Sequence, residues 1–139
     1  MARFTKFEEI QAWQKARAMT KELYALTAEG SLARDFFLRD QLRRAAISVM
    51  SNIVEGFARR TPKEFARFLN ITHGSAAELQ SHLYLAVDLG YLSKTRFEKL
   101  YAQADEISKM IHGLHDYLRS SHNPERSTHN SQLEEVLSL

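Results

Sequence analysis

Between Phe97 and Leu118 the apolar residues Phe97, Leu100, Ala104, Ile107, Ile111, Leu114 and Leu118 recur at spacings of three and four without a miss. An α-helix turns once every ~3.6 residues, so this series draws one unbroken stripe along a helix. A strand cannot use it, because strand faces alternate at every second residue. A helix with so long a stripe gains its stability by burying it against other helices. The rest of the sequence can therefore be searched for the helices that would meet it.

Three earlier segments qualify. The first is predicted over about residues 7–28, where Ala12, Ala16, Met19, Leu23 and Leu26 step by four and three, with Ile10, Trp13 and Tyr24 widening the stripe. The stretch "AEGSLARD" breaks it, and Gly30 makes a good helix stop. The second segment, 34–60, puts Leu38, Leu42, Ala45, Val49, Ile53 and Gly56 on one face. The third, 62–89, opens with Thr61 as N-cap, Pro62 at the first helical position and Glu64 placed to complete a capping box. Its apolar face holds Phe65, Phe68, Leu69, Thr72, Ala76, Leu79, Leu83, Ala86 and Val87, and Gly90 ends it. The fourth, 93–120, carries the opening stripe. Glycine (5) and proline (2) are scarce, so the connections should be short. The expectation is an all-α, antiparallel up-down-up-down four-helix bundle over residues 1–121. Residues 122–139 read as a polar, flexible tail, with a short helical piece at Gln132–Leu137 able to dock on a neighbour.

Composition narrows the function classes. At 139 residues the chain is one domain's worth. It has no cysteine, so disulfides, thiolate metal sites and a cysteine nucleophile are excluded. No apolar run approaches the ~18 residues of a membrane span, and the N-terminus has charges throughout, unlike a secretory signal. These features predict a soluble cytoplasmic protein with no membrane partner. The net charge is +2, but residues 1–70 hold 13 Lys/Arg against 8 Asp/Glu, while residues 71–139 hold 6 against 9. A basic half can serve an anionic partner or meet an acidic surface of another subunit.

The second segment is apolar on too much of its circumference. Ile47, Met50 and Val54 lie well around the helix from its core stripe, and the polar sector shrinks to Asp40, Arg44, Ser48, Ser51 and Glu55. A second apolar flank implies a second contact, and another copy of the chain is the predicted occupant. Arg43, Arg44, Arg59, Arg60, Lys63 and Arg67 are read as a cluster about the junction of segments two and three. They are either a phosphate-binding surface, multiplied by symmetry in an oligomer, or solvated charges and ion pairs with Glu55, Glu64 or Glu78. Ser48, Asn52, Glu55, Ser75 and Glu78 edge the apolar stripes and are read as a polar network fixing helix register, since a buried polar group left unpaired costs roughly 1–3 kcal/mol. His112 and His115 share a helix flank, but the Glu-x-x-His pattern of a di-metal bundle is missing. There is no Gly-x-Ser-x-Gly elbow, P-loop or dinucleotide turn. No catalytic residue, metal or cofactor is expected.

The blocks "FEEIQAWQKARAMTKELYALT", "FLRDQLRRAAISVMSNIVEGFAR" and "KEFARFLNITHGSAAELQSHLYLAVDLGYL" occur in order over about residues 4–118. In them the chain resembles the four-helix-bundle family of the 23S rRNA intervening-sequence protein. The middle block, from Gln41-Leu42-Arg43-Arg44 to Glu55-Gly56, carries most of the likeness. Val54 and Thr72 stand where the family usually has Ala. The resemblance implies a helical bundle assembling as a ring, a homopentamer, with no catalytic residues. It also implies a relation to the accessory proteins of diversity-generating retroelements, whose partners are nucleic acid and a reverse transcriptase. A protein adaptor without nucleic-acid binding is the alternative reading.

Overall fold

The computed structural model describes residues 4–120. A 3-10 turn at Phe7–Glu9 leads into α1 (Gln11–Thr27), and a five-residue helix α2 (Gly30–Arg34) precedes α3 (Phe36–Ala58), α4 (Pro62–Asp88) and α5 (Lys94–Ser120). Among the described residues there are no strands. α3 packs on α4, α4 on α5, and α1 closes the ring by packing on both α3 and α5. Neighbours in sequence are neighbours in space, joined by short turns, so the four long helices form an antiparallel bundle. The predicted tail, with Gln132–Leu137, lies outside the described residues.

Each predicted stripe feeds one core. Ala12, Ala16, Met19 and Leu23 of α1 meet Leu42, Ala45, Val49 and Ile53 of α3, with Leu69, Ala76, Leu79 and Leu83 of α4 and Ala104, Ile107, Ile111 and Leu114 of α5. All sixteen are buried. Phe97, the first member of the opening series, is only half-buried and stacks instead on Tyr84 and Tyr101.

The turns follow from local chemistry. Thr61 Oγ1 accepts the Glu64 N–H at 3.2 Å, and Pro62 opens α4. The other half of the expected capping box is absent, because the Glu64 carboxylate is taken by Arg67. Gly90 has φ 77° and its N–H donates to the Val87 carbonyl, while the Tyr91 N–H donates to that of Ala86. This pair of bonds is the Schellman motif, and its left-handed position suits glycine. Tyr91 then reaches back to α3. Its hydroxyl donates to Asp35 Oδ2 at 3.2 Å, while Asp35 Oδ1 accepts the Leu38 N–H at 3.1 Å. One carboxylate thus caps α3 and latches the α4–α5 loop, and the hydrogen bond to it raises the Tyr91 phenol above its ordinary pKa. The contribution of that bond is complete below the phenol's unfolded value of ~10 and fades as pH rises through the higher folded value.

Gly30 and Gly90, the two glycines expected at helix ends, stand at chain turns with positive φ, while Gly56 and Gly74 lie inside helices as the predicted segments require. At Gly56 the backbone of α3 comes so close to α4 that an added Cβ would sit 2.7 Å from Phe68 Cβ and 3.0 Å from Phe65 Cδ1. At Gly74 nothing lies within 4 Å. The two glycines should therefore respond oppositely to alanine. Gly56→Ala should destabilise by about 1–3 kcal/mol through overpacking, although alanine is the better helix former. Gly74→Ala should be neutral or stabilise by up to about 1 kcal/mol. Urea denaturation followed by circular dichroism checks both.

Candidate nucleic-acid interface

The close approach at Gly56 fixes the turn from α3 to α4 and with it four of the six predicted cations. Arg59 is the C-cap of α3, Arg60 lies in the turn, and Lys63 and Arg67 occupy the first two turns of α4. All four are exposed. Arg43 and Arg44 do not join them. Sixteen residues of helix separate Arg43 from Arg59, a distance of about 24 Å along the axis. Arg43 instead turns inward to α1. Its Nε donates to Thr27 Oγ1 at 2.8 Å, and its guanidinium lies 4.4 Å from the Tyr24 ring centroid. It satisfies the end of α1 rather than facing a ligand. Arg44 lies on the exposed side of α3.

Two of the four remaining cations are already engaged. Arg59 pairs with Glu55 at 3.1 Å, and Arg67 pairs with Glu64 through Nε at 2.9 Å. Both guanidiniums also approach the Phe68 ring, at 5.1 and 4.5 Å from its centroid. The Arg67 bond holds the Glu64 carboxyl below the usual carboxylate range, and the same bond holds the guanidinium above its own. A depressed carboxyl contributes above its unfolded pKa and loses that contribution as pH falls through the folded value, so the pair is ionised at neutral pH and weakens only in acid. Arg60 and Lys63 have no ion-pair partner among the described residues.

Antiparallel packing supplies two further groups. A groove at this end is lined by Lys63, Glu64, Ala66, Arg67 and Asn70 of α4 with His115 and Arg119 of α5. His115 and Arg119 were not assigned to this surface from sequence. The signal was present, since an antiparallel neighbour must bring the last turns of α5 beside the first turns of α4. The positive surface is therefore one end of the bundle: the α3–α4 turn, the start of α4 and the end of α5.

Arg60 also has an unusual backbone. Its φ is 67°, in the left-handed region, and it is the single non-glycine residue with positive φ among those described. It sits one position past the C-cap, where glycine is the usual occupant because a side chain in this conformation costs about 1–2 kcal/mol.

The predicted polar network is smaller than expected. Ser48 Oγ and Ser75 Oγ lie 2.7 Å apart across α3 and α4, and Asn52 Nδ2 donates to the Ser48 carbonyl at 2.9 Å and to its hydroxyl at 3.0 Å. Glu55 and Glu78 are outside it. They point to solvent and pair along their own helices, with Arg59 and His82. Ile47 is 42% exposed on the outer side of α3, while Met50 and Val54 are half-buried and line a groove with Phe7 and Trp13. His112 and His115 both approach the Asp116 carboxylate, at 3.2 and 3.7 Å. No group of three or more His, Cys, Asp or Glu side chains among the described residues could hold a metal ion, and no helix there is long and apolar enough to cross a membrane.

The sequence model of the 23S rRNA-intervening sequence protein family matches residues 8–113, which takes in α1, α3 and α4, and α5 as far as Gly113. The chain belongs to that family. A crystal structure of a protein with unknown function, from the S23 ribosomal protein family of Bacteroides thetaiotaomicron, superposes with a TM-score of 0.66 at 21% identity, covering 72% of this chain and 94% of the other. At that identity the likeness establishes the shared fold. No curated protein matches the chain.

The Ser48–Ser75 contact is open to a direct test. Either single alanine substitution should cost about 1 kcal/mol, while the double substitution should cost less than the sum, giving a coupling of about 0.5–1.5 kcal/mol in a double-mutant cycle.

Proposed function

We propose that this family member is a non-enzymatic, self-associating helical bundle of the cytoplasm that binds RNA or DNA at the cationic end formed by Arg59, Arg60, Lys63, Arg67 and Arg119. The observation that carries the reading is Arg60. Its backbone conformation favours glycine, yet the position holds an exposed arginine in the turn between α3 and α4, at the cationic end. Backbone strain of this kind tends to be retained where a side chain has work to do. Self-association, as the homopentamer the family resemblance implies, is supported by the apolar side chains left on the outside of α3. Ile47 is its proposed centre, and Phe36 and Phe37, at the start of the same helix, are 64% and 78% exposed, while Met50 and Val54 turn aside into the groove with Phe7 and Trp13. Assembly would bring several cationic ends together and multiply a modest charge per chain.

A second reading has support of its own. Arg59 and Arg67 are already compensated by Glu55 and Glu64, which leaves three of the five cations free among the described residues and suits an adaptor that grips an acidic surface of another protein, such as a reverse transcriptase, without nucleic acid. Salt dependence separates the two. Nucleic-acid binding should weaken steeply with salt, and Lys63→Ala or Arg119→Ala should each reduce the slope of log K against log salt by about 1. Arg60→Gly should do the same while raising folding stability by up to about 1 kcal/mol, because it relieves the left-handed strain. Arg43→Ala should leave the slope unchanged. If single-stranded and duplex RNA and DNA all fail to bind at low salt, the adaptor reading stands instead.

The self-association face has its own readout. Ile47→Asp should preserve helicity but reduce the mass measured by light scattering toward one chain, since a buried carboxylate without a partner is costly. An unchanged mass would place the contact elsewhere.

A further inference from the structure

The groove lined by Phe7, Trp13, Met50 and Val54 runs between the start of α1 and the last turns of α3, with Ser51 and Glu55 on its rim. Phe7 and Trp13 pack edge to face at 4.9 Å, and both are only half-buried, as are Met50 and Val54. The groove is thus a preformed apolar surface with its rings already ordered, and no described segment lies over it.

We infer that the groove is a docking site for residues 132–139 of the same chain. Three observations select this occupant. First, the described chain ends at Ser120, at the end of α5 that groups with Lys63 and Arg67 at the start of α4. In the antiparallel bundle the start of α1 and the end of α3 lie at that same end. Residues 121–131 can extend to about 36 Å, whereas crossing the bundle end takes about 20 Å, two helix diameters. Second, the segment "QLEEVLSL" carries Leu133, Val136 and Leu137 at spacings of three and one, which places three apolar side chains on one side of a helical turn. They match the apolar groove, not the cationic one. Third, the charges are complementary. Residues 132–139 include Glu134 and Glu135 and no Lys or Arg. Arg17 stands with its guanidinium 5.7 Å from the Trp13 ring, Lys6 adjoins Phe7 in the chain, and the rim carboxylate of Glu55 is engaged by Arg59. Attachment through a short linker favours a segment of the same chain over one from another copy, because it holds the segment at a high local concentration.

Trp13 is the single tryptophan of the chain and lines the groove, so its fluorescence reports occupancy directly. In the full-length protein the double substitution Leu133→Asp/Leu137→Asp should shift Trp13 emission to longer wavelength and increase its quenching by acrylamide, with the helical circular dichroism unchanged. A synthetic peptide of residues 130–139 should reverse both effects, and the same peptide carrying Leu133→Asp should not. The protection should persist on dilution and in an Ile47→Asp background, which separates this inference from the failure of the self-association reading. Equal emission and quenching in the wild-type and doubly substituted proteins would overturn it, as would peptide without effect on the variant. Protection that disappears on dilution would assign the groove to the segment of another copy and overturn the same-chain assignment.

Discussion

The approach of α3 to α4 at Gly56 is the constraint on which the cationic end depends. A side chain there would meet Phe68 Cβ, an atom close to the backbone that cannot swing away. With hydrogen alone, the helices converge, and the chain reverses from Ala58 to Pro62 through three residues. So short a reversal leaves Arg59 and Arg67 on the same ring, Phe68, from opposite helices. It also forces Arg60 into the left-handed conformation, because the chain must turn sharply right after the C-cap. The glycine is thus a packing residue whose effect is read out in charge placement.

Much of this architecture was legible in the sequence, and the parts that were not share a cause. The long stripes announced the four long helices because each carries several turns of periodic signal. Thr61 and Pro62 announced the start of α4 because capping chemistry is local. The five residues of α2 carry too little periodicity to be read, and Gly30 looked like a stop when its positive φ actually redirects the chain into that helix. Arg43 and Arg44 were grouped with Arg59 and Arg60 because they flank the same block of sequence. Helical rise separates the pairs, and rotation turns Arg43 onto Tyr24 and Thr27. His115 and Arg119 were missed for the converse reason: they are distant in sequence and become neighbours of Lys63 only through antiparallel packing.

The polar contacts between helices show the same division between local and tertiary. Ser48 and Ser75 meet across α3 and α4, and Asn52 joins them one turn along α3. Glu55 and Glu78, on the edges of the same stripes, are drawn outward, since a carboxylate loses more on leaving water than a hydroxyl does. Each then meets a side chain one turn along its own helix, Arg59 for Glu55 and His82 for Glu78. The contact that joins α3 to α4 here is accordingly made by small neutral groups and not by ions.

The compensated arginines do not stand against a polyanion ligand. Exposed ion pairs contribute little, because water and salt screen them. Glu64 and Arg67 are such a pair, joined at 2.9 Å on the surface. A phosphate could therefore take the place of Glu64 on Arg67, and in doing so would free a carboxylate into water, where it is well solvated. The contact of Arg67 with the Phe68 ring, 4.5 Å from its centroid, does not depend on Glu64 and would survive the exchange. Under the proposed reading the glutamate would be displaced most readily where several phosphates arrive together, so that Arg60, Lys63 and Arg119 would share the cost of its displacement.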